Sequence, residues 1–108
     1  MDRKSLLEKE LNSFLLRVKE KYDPERVILF GSAASGQVKE QSDLDLVVVA
    51  ETRDDFWSRL KKMAPLCSRR VGMDVLLYTP QEYQRLLEKR SFFRREVDAK
   101  GKVLYAKN

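Results

Sequence analysis

Three aspartates are spaced so that they could act together on one divalent cation. Asp43 and Asp45 are two residues apart in the segment DLDLVVVA, which is predicted to be a strand, so both side chains leave the same face. Asp74 lies in VGMDVLLY, a run that is otherwise almost wholly apolar. Because an unpaired carboxylate buried there would be costly, a metal shared by all three aspartates is an economical arrangement.

The composition limits which metal chemistry is available. The chain has no histidine and a single cysteine, Cys67, which excludes Ser/His/Asp triads, thiolate clusters and most zinc sites. A metal site must therefore use oxygen ligands, which favours Mg²⁺ or Mn²⁺ and, less strongly, Ca²⁺. Cys67 is interpreted as a packing residue in a reducing compartment.

A glycine and a serine directly follow an apolar strand pattern. At Gly31 the backbone amides can approach a phosphate group closely, and the Ser32 hydroxyl can bond a phosphate oxygen. Turns also use these residue types for conformational reasons alone. The pair is therefore a candidate phosphate-binding corner whose meaning depends on the nearby aspartates.

Helical and strand patterns position these residues in one domain, 1–108, in the order α, β, β, α, β, α, β. The predicted strands are 26–30, 44–50, 71–78 and 102–105, and the predicted helices are 5–22, 56–64 and a segment beginning at Thr79 with a break near Ser91. The aromatic residues Phe56 and Trp57 are expected in the core. The predicted fold class is α/β (α+β), a small mixed sheet with helices mainly on one face.

Four apolar residues share the strand face of the three aspartates. Val47, Val49, Leu76 and Tyr78 have the same alternation parity, so they are expected on the site side of the sheet. Either the chain's own helices or a partner protein must cover them, because large exposed apolar patches are uncommon in monomers.

The charge balance and the amino terminus limit partners and location. A net charge of +5 favours anionic partners such as nucleotides, RNA or an acidic protein surface without specifying one, and leaves the oligomeric state open. The first residues do not resemble a signal peptide, and no segment is apolar enough to span a bilayer. The expected location is cytoplasmic.

The segment GSAASGQVKEQSDLDLVVV resembles the signature of the DNA polymerase β-like nucleotidyltransferase superfamily, a Gly-Ser pair followed after ten residues by Asp-x-Asp. VGMDVLLYTPQEY and FFRREVDAKGKVLYA are similar to the third-carboxylate strand and the C-terminal end of the minimal members of that superfamily. The resemblance extends over residues 5–107 and implies a nucleotidyltransferase fold.

The resemblance also implies roles for individual residues. Gly31 and Ser32 would bind the triphosphate of ATP, Asp43 and Asp45 would bind metal, and Asp74 would be the third catalytic and metal-binding carboxylate. Many minimal members have arginine in the loop where this chain has Ala33, Ala34 and Ser35. Lys39, in the same loop, either supplies the missing charge or is simply solvated.

In minimal members the resemblance implies a separate helical partner, a HEPN-type toxin. The chain would then be the antitoxin and would transfer AMP to a tyrosine of the toxin, mask it, or both. Two alternatives remain open: nucleotidyl transfer to a small hydroxylated molecule, and a non-catalytic binding module that neutralises its partner by occlusion.

Overall fold

The computed structural model describes residues 2–36 and 43–107, and the helices and strands follow the predicted order. Their bounds are α1 (Arg3–Tyr22), β1 (Arg26–Phe30), β2 (Leu44–Val49), α2 (Phe56–Met63), a 3₁₀ turn (Ala64–Leu66), β3 (Met73–Tyr78), α3 (Pro80–Lys89), a π-helix (Phe93–Ala99) and β4 (Lys102–Ala106). Within the described ranges, no helix combines the length and apolar character needed to cross a lipid bilayer.

The four strands form one sheet in the order β3-β2-β1-β4. β2 pairs with β3 in parallel, whereas β1 pairs antiparallel with both β2 and β4. The predicted mixed sheet is therefore confirmed. β2 is an interior strand, which explains why its residues are apolar on both faces. β3 is an edge strand, and only one of its sides is paired.

The helices cover both faces of the sheet, so the prediction that they lie mainly on one face is wrong. Alternate strand residues such as Leu46 and Val48 pack against Phe14 and Val18 of α1. The intervening residues, among them Val47, pack against a second group contributed by α3 and the π-helix. The sheet separates two apolar clusters because each strand presents alternate residues to opposite sides.

The aromatic residues of α2 are also placed differently from the prediction. Phe56 is 60% exposed and Trp57 is 69% exposed, and their rings contact each other edge to face with centroids 5.3 Å apart. Met63 is the only residue of this short helix that is buried. The helical spacing was identified correctly, but apolar spacing does not show how much of a helix contacts the core.

Local sequence signals set the beginning and end of α3. The Thr79 hydroxyl accepts a hydrogen bond from the Glu82 amide at 3.1 Å, and the Glu82 carboxylate accepts one from the Thr79 amide at 2.8 Å. This reciprocal capping confirms the predicted helix start. α3 ends at Lys89, and the following residues form a π-helix, so the predicted break near Ser91 is also confirmed.

Candidate active site

Two of the predicted carboxylates are in direct contact. Asp45 of β2 and Asp74 of β3 are register partners in the parallel pair, so their side chains leave the same face. Burial raises the pKa of Asp45, and the charges of Asp74 and Asp43 together with a side-chain hydrogen bond to Asp74 raise it further. The pair therefore concentrates negative charge that a cation would neutralise.

Asp43 directly precedes β2 and lies at the same end of the sheet. It packs against Gly72, where an added Cβ would overlap the Asp43 carboxylate. The Leu44 amide donates to the Gly72 carbonyl at 2.9 Å and fixes this alignment at the start of the parallel pair. Gly72 thus gives the Asp43 carboxylate room beside the beginning of β3.

The carboxylate groups of Asp43, Asp45 and Asp74 are the kind of ligand that a divalent cation prefers. Carboxylate oxygens are preferred ligands of Mg²⁺, and burial followed by repulsion from Asp74 and Asp43 raises the pKa of Asp45. In residues 2–36 and 43–107, however, no three acidic, cysteine or histidine side chains are close enough together to form a metal site. The structure shows a carboxylate pair with Asp43 as an electrostatic neighbour.

Gly31 brings the turn after β1 against this pair. Its φ of +77° is unfavourable for residues with a side chain, and an added Cβ would lie 2.5 Å from Asp45 Oδ2. The Gly31 carbonyl accepts hydrogen bonds from the amides of Ala34 at 3.2 Å and Ser35 at 3.4 Å. The turn is therefore held by its own backbone, and Ser32 remains exposed.

A pocket of about 500 Å³ is lined by both the turn and Asp45 of the carboxylate pair. Gly31, Ser32, Ser35 and Asp45 form one side of it, beside Phe30. The other lining residues, Phe92, Glu96 and Lys100, come from the π-helix and the residues that flank it. The structure therefore unites the predicted phosphate corner with a predicted metal ligand, and adds three residues that the sequence analysis did not single out.

Comparison with known proteins assigns the family. Residues 15–108 match the family model described as "Polymerase beta, Nucleotidyltransferase". The chain belongs to this nucleotidyltransferase family. A Methanocaldococcus jannaschii protein provisionally named as a protein adenylyltransferase is 31% identical over 103 residues, which cover 91% of this chain and 97% of that protein.

Solved structures support the same fold. A crystal structure of a Sulfolobus solfataricus protein, provisionally described as a nucleotidyltransferase, aligns with a TM-score of 0.64 and 16% identity over 99% of this chain and 91% of that one. A toxin-antitoxin crystal structure with AMP-PNP aligns with a TM-score of 0.49 and 20% identity, covering 88% of this chain and 73% of that one. The first likeness shows the fold, and the second is too low to inform on function.

Asp74 is exposed rather than buried, because β3 is an edge strand and its first residues are uncovered. The argument that burial forces Asp74 to have a partner is therefore wrong, although Asp74 does contact Asp45. Lys39 lies outside the described residues.

The site-side apolar residues of the nucleotidyltransferase are covered by its own helices at the centre of the sheet. Val47 is fully buried and Val49 is 3% exposed, both in the cluster that contains Tyr83 and Val97. Leu76 and Tyr78, on the edge strand, are half-buried. Of the two alternatives left open by the sequence, cover by the chain itself is confirmed for the two valines.

A second, more apolar groove lies away from this chemistry. It runs along the free edge of β3, between α2 and α3, and its lining includes Phe56, Leu60, Leu76 and Leu86 but none of the three aspartates. Of these two pockets, only the one beside the Gly31-Ser32 turn contains residues of the Gly-Ser and Asp-x-Asp motif.

Proposed function

We propose that the chain transfers AMP from ATP to a hydroxyl group of a partner protein, with Mg²⁺ or Mn²⁺ held by Asp45 and Asp74 and with Asp43, their electrostatic neighbour, turning towards the cation as the third ligand. The observation that carries this proposal is the single pocket in which the Gly31-Ser32 turn adjoins Asp45, itself in contact with Asp74. Phosphate-binding and cation-binding groups must be adjacent for nucleotidyl transfer, and the proximity of the Gly31-Ser32 turn to Asp45 supports this proposal.

The proposed reaction forms one bond and breaks one bond at the α-phosphorus. The acceptor oxygen bonds to this phosphorus, the bond to the bridging oxygen of the β-phosphate breaks, and pyrophosphate leaves with the bonding electrons. Asp74, exposed and in contact with Asp45, is proposed to accept the hydroxyl proton. The bound cation would neutralise the triphosphate and stabilise the leaving group. Gly31 and Ser32 would hold the phosphates.

A protein acceptor is supported by the name of the archaeal relative, nearly the whole length of which this chain matches. We propose that the acceptor is a HEPN-type helical toxin and that the chain is its antitoxin, as the resemblance of the motifs implies. Modification of a small hydroxylated molecule and neutralisation by occlusion alone are the outcomes against which this proposal is tested.

The test is incubation of the purified protein with ATP labelled at the α-phosphate, Mg²⁺, and the protein encoded by the adjacent gene. We expect label on the partner with the wild-type protein and none with an Asp43→Asn, Asp45→Asn double variant. The matched control is Glu88→Gln, which removes the charge of an exposed carboxylate on α3 outside the pocket. This variant should retain activity. Circular dichroism should show that both variants fold.

Two results would overturn the proposed reaction. If the double variant neutralises the partner as well as the wild-type protein does, and no label is transferred, the chain acts by occlusion. If label appears only on small hydroxylated molecules supplied in place of the partner, the acceptor class is wrong while nucleotidyl transfer stands.

A further inference from the structure

The turn that should bind the triphosphate contains no basic side chain. Residues 33–35 are Ala33, Ala34 and Ser35, and both alanines pack against the core cluster on the α1 side of the sheet. The Ser35 hydroxyl donates to the Ser32 carbonyl at 3.0 Å. Backbone amides alone offer little charge to a triphosphate, so a basic side chain from another element would strengthen the binding of phosphate.

Among the described residues that line this pocket, Lys100 is the one basic residue. Its backbone is fixed, because the Lys100 amide donates to the Arg95 carbonyl at 3.1 Å and the next amide, of Gly101, donates to the Val97 carbonyl at 3.1 Å. An added Cβ at Gly101 would lie 2.7 Å from Ile28 Cγ2. The absence of a side chain there lets the end of the π-helix pack tightly on β1 and carries Lys100 to the pocket.

The side chain of Lys100 is free to change partners. Its ammonium group lies 3.3 Å from Glu96 Oε2, and the Lys100 side chain is 73% exposed. Ion pairs this exposed contribute little to stability, so exchanging the Glu96 carboxylate for a phosphate oxygen costs little.

The same wall offers an aromatic surface. Phe92 is 47% exposed, and its ring meets those of Phe30 and Phe93 edge to face, with interplanar angles of 84° in both pairs. These contacts hold the ring in place by perpendicular packing. An exposed, immobilised aromatic ring at a pocket wall is a suitable surface for stacking a nucleobase.

We propose that Lys100 supplies the phosphate-binding cation and that Phe92 supplies the base-stacking surface of the nucleotide site. The proposal rests on the proposed use of a nucleoside triphosphate and deepens it. Lys100 supplies the positive charge that Ala33, Ala34 and Ser35 do not, and the segment from Phe92 to Lys100 completes the pocket that Gly31 and Ser32 line.

The phosphate-binding role of Lys100 and the base-stacking role of Phe92 can be tested separately with one ligand that has phosphates and one that has none. Binding of AMP-PNP and of adenosine, each with Mg²⁺, would be measured by isothermal titration calorimetry. Lys100→Met should weaken AMP-PNP binding by about tenfold and leave adenosine binding unchanged, and Lys100→Arg should restore AMP-PNP binding. Phe92→Ala should weaken both ligands by about tenfold, whereas Phe92→Tyr should keep both affinities.

Matched controls lie on the other side of α3. Lys89→Met removes an exposed lysine, and Phe56→Ala removes an exposed aromatic residue, both from the groove at the β3 edge. Neither control should change the affinity for AMP-PNP. Thermal unfolding of each variant separates a loss of binding from a loss of fold.

The two proposals fail in distinguishable ways. If the wild-type protein binds AMP-PNP and the Lys100→Met and Phe92→Ala variants bind it equally well, the assignment of these residues is wrong while the proposed function stands. Equal losses with Lys100→Met for AMP-PNP and adenosine would also overturn the cation role. If the wild-type protein binds no nucleotide, both the proposed function and this assignment are overturned.

Discussion

Because Gly31 has no side chain, the backbone turn can lie directly against Asp45 of the carboxylate pair. The position requires a positive φ, and the space where a Cβ would be is taken by Asp45 Oδ2. We expect Gly31→Ala to lower the free energy of unfolding by about 2 kcal/mol and to abolish nucleotide binding, because both the turn and Asp45 must shift. Urea denaturation and calorimetry with AMP-PNP measure the two effects.

Gly36 provides the matched control for this prediction. It has a φ of +81°, but nothing lies within 4 Å of an added Cβ. Gly36→Ala should therefore cost only the conformational strain, about 1 kcal/mol, and should leave nucleotide binding intact. Equal loss of binding in the two variants would show that the contact between Gly31 and Asp45 has no special part in the site.

Asp45 is expected to reduce the stability of the fold while serving the site. Its raised pKa, caused first by burial and then by Asp74 and Asp43, means that the charged form is disfavoured in the folded state. In EDTA at neutral pH, Asp45→Asn should raise the melting temperature by about 2 to 5 °C. Added Mg²⁺ should reduce this difference in melting temperature, because it should stabilise only the wild-type protein. The control variant Glu88→Gln should have the same melting temperatures as the wild type. A lower melting temperature for the variant in EDTA would contradict this prediction.

At the scale of elements, Arg59 joins α2, β3 and α3 at the free edge of the sheet. Its guanidinium donates to the Leu77 carbonyl at 3.1 Å and to Glu82 Oε1 at 2.7 Å, and its Nε donates to the Asp54 carbonyl at 2.9 Å. The Arg59 guanidinium is the largest of the causes that lower the pKa of Glu82. Arg59 also satisfies an edge carbonyl that would otherwise be open to another chain.

We expect Arg59→Ala to lower the free energy of unfolding by about 2 kcal/mol, because three hydrogen-bonded groups lose a half-buried donor. Arg59→Lys should recover less than half of the loss, since an ammonium group cannot reproduce the planar set of contacts. Arg85→Ala, which alters an exposed arginine of α3, is the control. A loss below about 0.5 kcal/mol in urea denaturation would show that the bridge contributes only as an exposed ion pair.

The elements that sequence predicts well are those defined by local chemistry. Residues 26–30 formed the expected strand, and the capping residues Thr79 and Glu82 began α3 where predicted. Strand order could not be predicted, because it depends on contacts between residues far apart in the chain. The exposure of Asp74 and the cover on both faces follow from strand order, and for this reason those two expectations failed.

The same distinction explains which residues of the site could be predicted from the sequence. Gly31, Ser32 and the aspartates are visible in sequence because they are closely spaced and belong to a recognisable motif. Phe92 and Lys100 are far from that motif in the chain, and they reach the pocket through a π-helix whose end packs on β1 beside Gly101. No periodicity in the sequence distinguishes them from other exposed aromatic and basic residues.

For the molecule as a whole, Tyr83 links the core on the site side to the pocket wall. It is 6% exposed, and its hydroxyl donates to Asp98 Oδ1 at 3.3 Å, which ties α3 to the π-helix. Burial, followed by the charge of Asp98 and this hydrogen bond, raises the pKa of Tyr83 to about 12. Tyrosine in an unfolded chain ionises near pH 10.

Because folding raises the pKa of Tyr83, the free energy of unfolding should decrease at alkaline pH. Below pH 10 the tyrosine is protonated in both states, whereas between about pH 10 and pH 12 the unfolded chain releases its proton first and is favoured. Stability should therefore fall through this window, with up to about 2 kcal/mol of the loss due to Tyr83. Tyr83→Phe should be less stable at pH 8, because the hydrogen bond is lost, yet should show a shallower decline towards pH 12 in urea denaturation. The two proteins differ only at this residue, so parallel declines would show that Tyr83 does not couple ionisation to folding.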